Sequence, residues 1–252
     1  MDYAPDDDMK RPVFPLPPAA FTGESRVNPP DAALDWLVRG WALFAQDKLR
    51  WCLLSLFFSA FIIIPLLLYP GIFRLFLLLL PFFAAGWHEV CRMEEIREET
   101  NDRPLPGDFF TSFTAPALIV PGILGVGALW LVWEGFLAML YMVVSPSSDA
   151  ALFWLLYILY GAFSLPILIL PFVMLLLFAP PLLYPPRLSP GRALQASFTA
   201  CRKNLAPLFF LALLLSLLVF ATLLSFGLLL PVTLPVAFAS WRAACHDIFI
   251  AL

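Results

Sequence analysis

The feature that most limits what this chain can fold into is a series of apolar runs that fills most of it after residue 50. In order they span 51–69, 71 to about 91, about 117–144, 151–184, 205–226 and 228 to about 245. A helix needs about 20 apolar residues to cross a bilayer core, and water-soluble chains avoid repeated runs of that length. Composition agrees: of 252 residues 62% are hydrophobic and 13% charged, with a mean hydropathy of +0.88. The expected fold is therefore all-α, a polytopic membrane helix bundle with six transmembrane helices in three hairpins. Pro70-Gly71 and Gly227 are the expected reversals of the first and last hairpins, since glycine accepts positive φ and proline cannot continue a helix.

Residues 1–30 are of a different kind, rich in Pro and Asp, with no apolar stretch long enough for a signal sequence. They read as a disordered cytoplasmic tail on a single six-helix transmembrane domain spanning 31–252. Of 15 Lys and Arg residues, all but Arg74 fall before the first span, between the second and third, between the fourth and fifth, or at the end of the sixth. Lys and Arg resist translocation, so both termini and the two longer loops are expected in the cytoplasm, with 145–150 outside. The run 151–184 exceeds one crossing and is broken by Pro166, Pro171, Pro180 and Pro181. Either the crossing is 165–184, with 151–164 an interfacial or re-entrant piece, or the run is one long, tilted, kinked helix.

Each hairpin is preceded by a segment with the pattern of a cytoplasmic interfacial amphipathic helix. Asp31 opens the first, with Leu34, Leu37, Trp41 and Phe44 on one face. Ser189-Pro190 opens the third, with Leu194, Phe198, Cys201 and Leu205 aligned. The middle one is shorter, with Asp108 as cap and Phe109 and Phe113 one turn apart. The stretch PFFAAGWHEVC (81–91) also echoes PVAFASWRAAC (235–245) at Pro, Ala, Trp and Cys, which suggests an internal repeat of about 31–100 and 189–249. Indole rings favour the headgroup level, so Trp36, Trp41, Trp87 and Trp241 are expected to be membrane anchors.

GWALF (40–44), AAGWHEVCR (84–92) followed by PLPGDFFTSF (104–113), SPGRALQASFTACRKN (189–204) and the closing HDIF (246–249) together resemble a family of uncharacterised bacterial inner-membrane proteins. The likeness spans roughly 31–250. It implies six spans, an inner-membrane location and no assigned activity. The family ends on Tyr-Arg-Asp-Ile-Phe where this chain has Cys245-His246-Asp247-Ile248-Phe249.

Chemistry-bearing residues are few. His88 with Cys91, and Cys245 with His246, are the residues from which a Cys/His metal site could be assembled; without a CxxC pair no metal or other cofactor is expected. Arg74 and Glu134 are intramembrane charges at similar depth; either they pair with one another, or Arg74 snorkels to the outer headgroups and Glu134 sits near water. Gly122, Gly125 and Gly127 lie inside an apolar run and suit close helix approach rather than nucleotide binding. The acidic run 89–102 reads as a solvated helix extension or a partner surface. No HExxH, GxSxG or Walker pattern occurs, so no catalytic residue is expected.

The reading that best fits this polar economy is a non-enzymatic scaffold or accessory subunit whose partners are the lipid bilayer and another membrane protein, not nucleic acid. The alternative is a transporter or channel for a small solute with Glu134 in the pathway. Lipid-directed enzymology, which would draw on His88, His246 and Asp247, comes third.

Overall fold

A computed structural model of the chain describes residues 23–68, 72–95, 107–144, 155, 159, 170–184 and 188–249. The described residues are helical apart from short connections: α1 (Ala32–Gln46), α2 (Lys48–Leu68), α3 (Ile72–Glu95), 3₁₀ segments at Asp108–Thr114 and Pro116–Leu118, α4 (Ile119–Val144), α5 (Leu170–Leu176), α6 (Ala179–Leu183), α7 (Pro190–Lys203), α8 (Leu205–Leu224) and α9 (Leu230–Ile248). An all-α fold is the result; among the described residues the one β-type pairing is a bridge between Ser25 and Phe249.

The last hairpin shows how sequence sets geometry. α8 ends at a turn in which Phe226 and Gly227 take positive φ, and Gly227 N–H bonds back to Thr222 O at 2.8 Å. This is the wrap that glycine permits without a Cβ clash. Just inside the turn the Thr222 and Thr233 hydroxyls meet at 2.6 Å, satisfying two buried polar groups in an apolar hairpin. The other expected reversal, Pro70-Gly71, lies outside the described residues, as do 1–22, 145–150, Arg97 and Arg103.

The short amphipathic segments pack in a cyclic order. α1 lies on α9, the 3₁₀ segment Asp108–Thr114 lies on α3, and α7 lies on α5 and α6. The second and third thus each cover a helix that comes before them in the chain, and the first covers the last helix, α9. At the α1–α9 and α3 crossings a glycine lets backbones approach, and a serine sits at all three. A Cβ on Gly40 would lie 2.6 Å from Ser240 N, and one on Gly86 would overlap the Phe109 carbonyl. Ser112 Oγ donates to Phe82 O at 2.8 Å, Ser197 Oγ to Met174 O at 2.7 Å, and Ser240 Oγ to Val236 O at 2.7 Å. Ser112 and Ser197 thus cap a carbonyl of the helix they cross, whereas Ser240 bonds back within its own helix, α9.

Aromatic side chains fill the interior between α2, α3 and α9. Phe58 meets Phe83 at 4.9 Å, Phe109 at 5.5 Å and Trp87 at 5.7 Å, while Trp87 stacks on Phe238 at 5.1 Å and on Trp51 at 6.0 Å. Such pairs add about 0.5–1.5 kcal/mol each beyond the area they bury. Gly122 also marks a close approach, because a Cβ there would overlap the Leu78 carbonyl; Gly125 has ordinary contact space and Gly127 has nothing nearby.

Several boundaries differ from expectation. α2 starts at Lys48, three residues before the apolar run. The cap of the middle segment is Gly107, not Asp108, and neither Asp31 nor Ser189 makes a side-chain capping bond. The run 170–184 is broken, since α5 stops at Leu176 and Pro180 and Pro181 start a new turn whose preceding Phe178 N–H is bonded by Ser197 Oγ at 3.0 Å. The piece 151–164 lies, except for Leu155 and Leu159, outside the described residues.

Among the described residues one helix, α8, is long and apolar enough to cross a membrane, and 17% of it is buried in the protein. Shorter apolar stretches run over Pro116–Val132 and Leu170–Leu183.

Candidate functional site

The polar groups of this chain gather where α3 and α9 end. The two echoed stretches, 81–91 and 235–245, face one another there, and positions that correspond in the echo touch. His88 follows Trp87 as Arg242 follows Trp241, and His88 Nε2 lies 2.7 Å from Arg242 Nη1. A guanidinium only donates, so this imidazole nitrogen accepts and the proton of the neutral ring sits on Nδ1. The His88 ring also meets Trp241 edge-on at 5.8 Å. Arg242, 3% exposed, turns its Nε and Nη2 to Glu95 Oε2, each at 3.1 Å.

The other carboxylates of α3 are paired within the protein too. Glu94, also 3% exposed, accepts from Arg50 Nη1 at 3.2 Å, and Glu89 holds Arg92 one turn on by two hydrogen bonds of 2.9 and 2.5 Å. A solvated helix extension or a partner surface was expected over 89–102. In the described part Glu89 and Glu94 are buried beside cations of the same protein, since buried carboxylates keep their charge only when paired, while Glu95 stays exposed.

A second group surrounds Asp247. Its carboxylate accepts Trp36 Nε1 at 2.9 Å and Arg39 Nη1 at 3.0 Å, and Arg26 stands 3.7 Å away. Burial alone would raise this carboxyl, but the hydrogen bonds from Arg39 and Trp36 and the charges of Arg39 and Arg26 outweigh it and hold it below the ordinary carboxylate range. The Arg39 guanidinium is raised by the same bond.

Residues 23–28 close this layer. Arg26 N–H bonds to Ile248 O at 2.8 Å, Lys203 Nζ to Ser25 O at 2.9 Å and Asn204 Nδ2 to Arg26 O at 2.9 Å, while Asn204 Oδ1 accepts Asn28 N–H at 2.8 Å. This part of the expected disordered tail is a strap pinned to both α7 and α9. The buried Asn204, central to it, gave no signal in the sequence beyond its place between two helical patterns.

The expected site residues fare differently. Trp36 and Trp87 have no exposed surface and cannot sit among headgroups: one serves Asp247, the other the aromatic core. Trp41 is exposed and Trp241 half-buried. Cys91 and Cys245 are buried free thiols on α3 and α9, and His246 is exposed beside Asp247. Among the described residues no three His, Cys, Asp or Glu side chains cluster as metal ligands. Cys201 on α7 is pushed up to about 12 by burial, against a lowering bond to Ser197, so it stays a thiol and no nucleophile. Glu134 is exposed on α4; whether Arg74 meets it lies outside the described side chains.

The arrangement can therefore fix helix ends and hold charges in register. Set against family models, curated proteins and solved structures, neither the sequence nor the fold finds a match.

Proposed function

We propose that the chain is a multi-pass membrane protein with six spans in three hairpins, each opened by an amphipathic segment on the cytoplasmic side, and that it acts as a non-enzymatic scaffold or accessory subunit. The observation that carries this reading is α8, an apolar helix of which only 17% is buried by protein. Such a surface is stable in lipid and costly in water. A bacterial inner membrane, with both termini in the cytoplasm, follows from the cation distribution and the family resemblance.

The cyclic packing favours a threefold internal repeat over the twofold one of 31–100 and 189–249 that the echo suggests. SFTA occurs at 112–115 and again at 197–200, each serine bonds a carbonyl of the helix it crosses, and Gly40 of the first segment lies against Ser240 of α9. A charged layer that is satisfied internally leaves the apolar flanks and the exposed Glu134 as the parts available to a membrane partner. A carboxylate at that depth wants a polar neighbour, which a partner subunit supplies.

The broken stretch at 177–178 favours a second reading, a carrier or channel with Glu134 in its pathway, since carriers use interrupted helices at midplane sites. Cross-linking in intact membranes, followed by purification in mild detergent, separates the two. The scaffold reading expects a stoichiometric partner cross-linked near Glu134 and no solute flux in proteoliposomes. A chain that emerges alone, with a flux abolished by Glu134→Gln, overturns it.

A further inference from the structure

We infer that the groove between the start of α2, the end of α3 and the segment Asp108–Thr114 is a binding site for one amine-bearing zwitterionic glycerophospholipid. The inference rests on the membrane reading above and adds a ligand to it. The groove encloses about 510 Å³ and is lined by Asp47, Arg50, Leu53, Phe57, Val90 and Phe110. That volume lies within the range of about 300–1,000 Å³ found for ligand sites.

Its polarity is graded along one axis. Asp47 and Arg50, the only charged lining residues, stand at the first turn of α2. Leu53 and Phe57 follow about 4.5 and about 10 Å further along the helix, at 1.5 Å per residue, and both are exposed. Phe110 closes the far wall, edge-on to Phe57 at 6.4 Å. A phospholipid in the cytoplasmic leaflet has the same grading, with its charged head at the foot of the span and its acyl chain running inward along it. A water-soluble metabolite gains nothing from the exposed apolar wall.

The charges select the headgroup. Arg50 gives Nη1 to Glu94 at 3.2 Å and keeps other N–H donors for a phosphate. Asp47 Oδ1 accepts Arg50 N–H at 3.3 Å, and its second oxygen is left to accept an ammonium. One cation and one carboxylate a turn apart match a phosphate and an amine joined by a short linker. A purely anionic head would meet Asp47 and Glu94 with like charge.

The test is native mass spectrometry of the full chain in detergent, titrated with dioleoyl phosphatidylethanolamine or dioleoyl phosphatidylglycerol. The expected result is one phosphatidylethanolamine per chain, bound about tenfold more tightly than phosphatidylglycerol, the ratio that one charge-assisted hydrogen bond supplies. Leu53→Trp, which fills the groove from an exposed position, removes that lipid, and Leu49→Trp serves the same purpose if the first variant does not fold. Asp47→Asn brings the two lipids level, while Val219→Trp, on the exposed face of α8, binds as the parent does. Equal binding of both lipids by the parent overturns the inference, as does a preference that survives either groove-filling tryptophan or Asp47→Asn. A chain that stays in solution without detergent overturns the membrane reading itself, and is seen before any lipid is added.

Discussion

The ends of α3 and α9 and the body of α8 are built by opposite rules. At the helix ends the protein is its own solvent: Trp36, Trp87, His88, Glu94 and Arg242 are buried, every one of these charges has a partner, and crossings are close enough to need Gly40 and Gly86. Along α8, Leu213, Leu217, Phe220 and Leu224 point away from the protein, and no charge occurs. One region takes its stability from precise internal contacts. The other takes it from whatever lies outside. Substitutions should therefore be felt very unequally in the two places.

The largest expected effect is at the α1–α9 crossing. Gly40→Leu puts a side chain where Ser240 backbone already lies, which no rotamer relieves, so the variant should fail to accumulate as folded protein. Gly127→Ala, with nothing near its Cβ, should gain about 0.5–1 kcal/mol from helix propensity. Detergent thermal-shift assays on the pair check both signs. If Gly40→Leu melts with the parent, the close crossing is wrong.

Next comes the buried guanidinium. Arg242→Ala leaves His88 without its donor and Glu95 without its cation, which for a fully buried pair costs about 3–5 kcal/mol. Glu95 is partly solvated, so about 2–3 kcal/mol is expected by chemical denaturation, with Arg242→Lys recovering only part, since one ammonium cannot reach both partners in fork geometry.

Asp247→Asn should cost less, about 1 kcal/mol, because Arg39 and Arg26 are about half exposed and solvent screens their pairing. The cost depends on pH in a defined direction. The Asp247 carboxyl is held below its unfolded value, so its contribution is full above about pH 4 and disappears as pH falls through the lower folded value. Acid melting curves should thus converge for parent and Asp247→Asn and separate on the neutral side. A gap that widens toward acid contradicts the assignment.

The smallest effect is expected on α8. Leu217→Ala, at a position 61% exposed, should change stability in lipid by less than about 0.5 kcal/mol, whereas Leu182→Ala in the fully buried core should cost about 3 kcal/mol. Equal losses at the two sites would mean that protein covers α8.

The two regions also differ in how far they could be read in advance. Helix order, the Gly227 reversal and the α1 and α7 segments follow from apolar period and turn residues, which act locally. The partners that charges find on other helices do not. Glu94 looks like a solvated acid in the sequence because Arg50 is recognised as its mate only once α2 and α3 are side by side, whereas the Glu89–Arg92 pair, one turn apart on α3, is legible in the spacing. Trp36 and Trp87 look like interface anchors because an indole suits both a headgroup layer and a polar-edged core, and the choice depends on which helix lies across. On α1 the expected stripe is split, with Leu34 and Trp41 exposed and Phe44 buried, while Trp36, Gly40 and Leu43 face α9; amphipathicity does not say which apolar residues meet protein. The serine crossings were missed for a similar reason. SFTA repeated at 112 and 197 is visible, but its meaning comes from the carbonyls it caps on the helices it crosses.

The claim that organises everything else is that α8 lies in lipid while the exposed residues around the charged layer at its foot, Lys203 among them, lie in water. Spin labels at single cysteines test it most directly, in a Cys52→Ser background whose other thiols are buried. The account predicts that a label at Leu217 in proteoliposomes collides with dissolved oxygen and is shielded from a water-soluble nickel chelate, and that a label at Lys203 shows the reverse. Strong nickel collisions at Leu217, equal to those at Lys203, would contradict it.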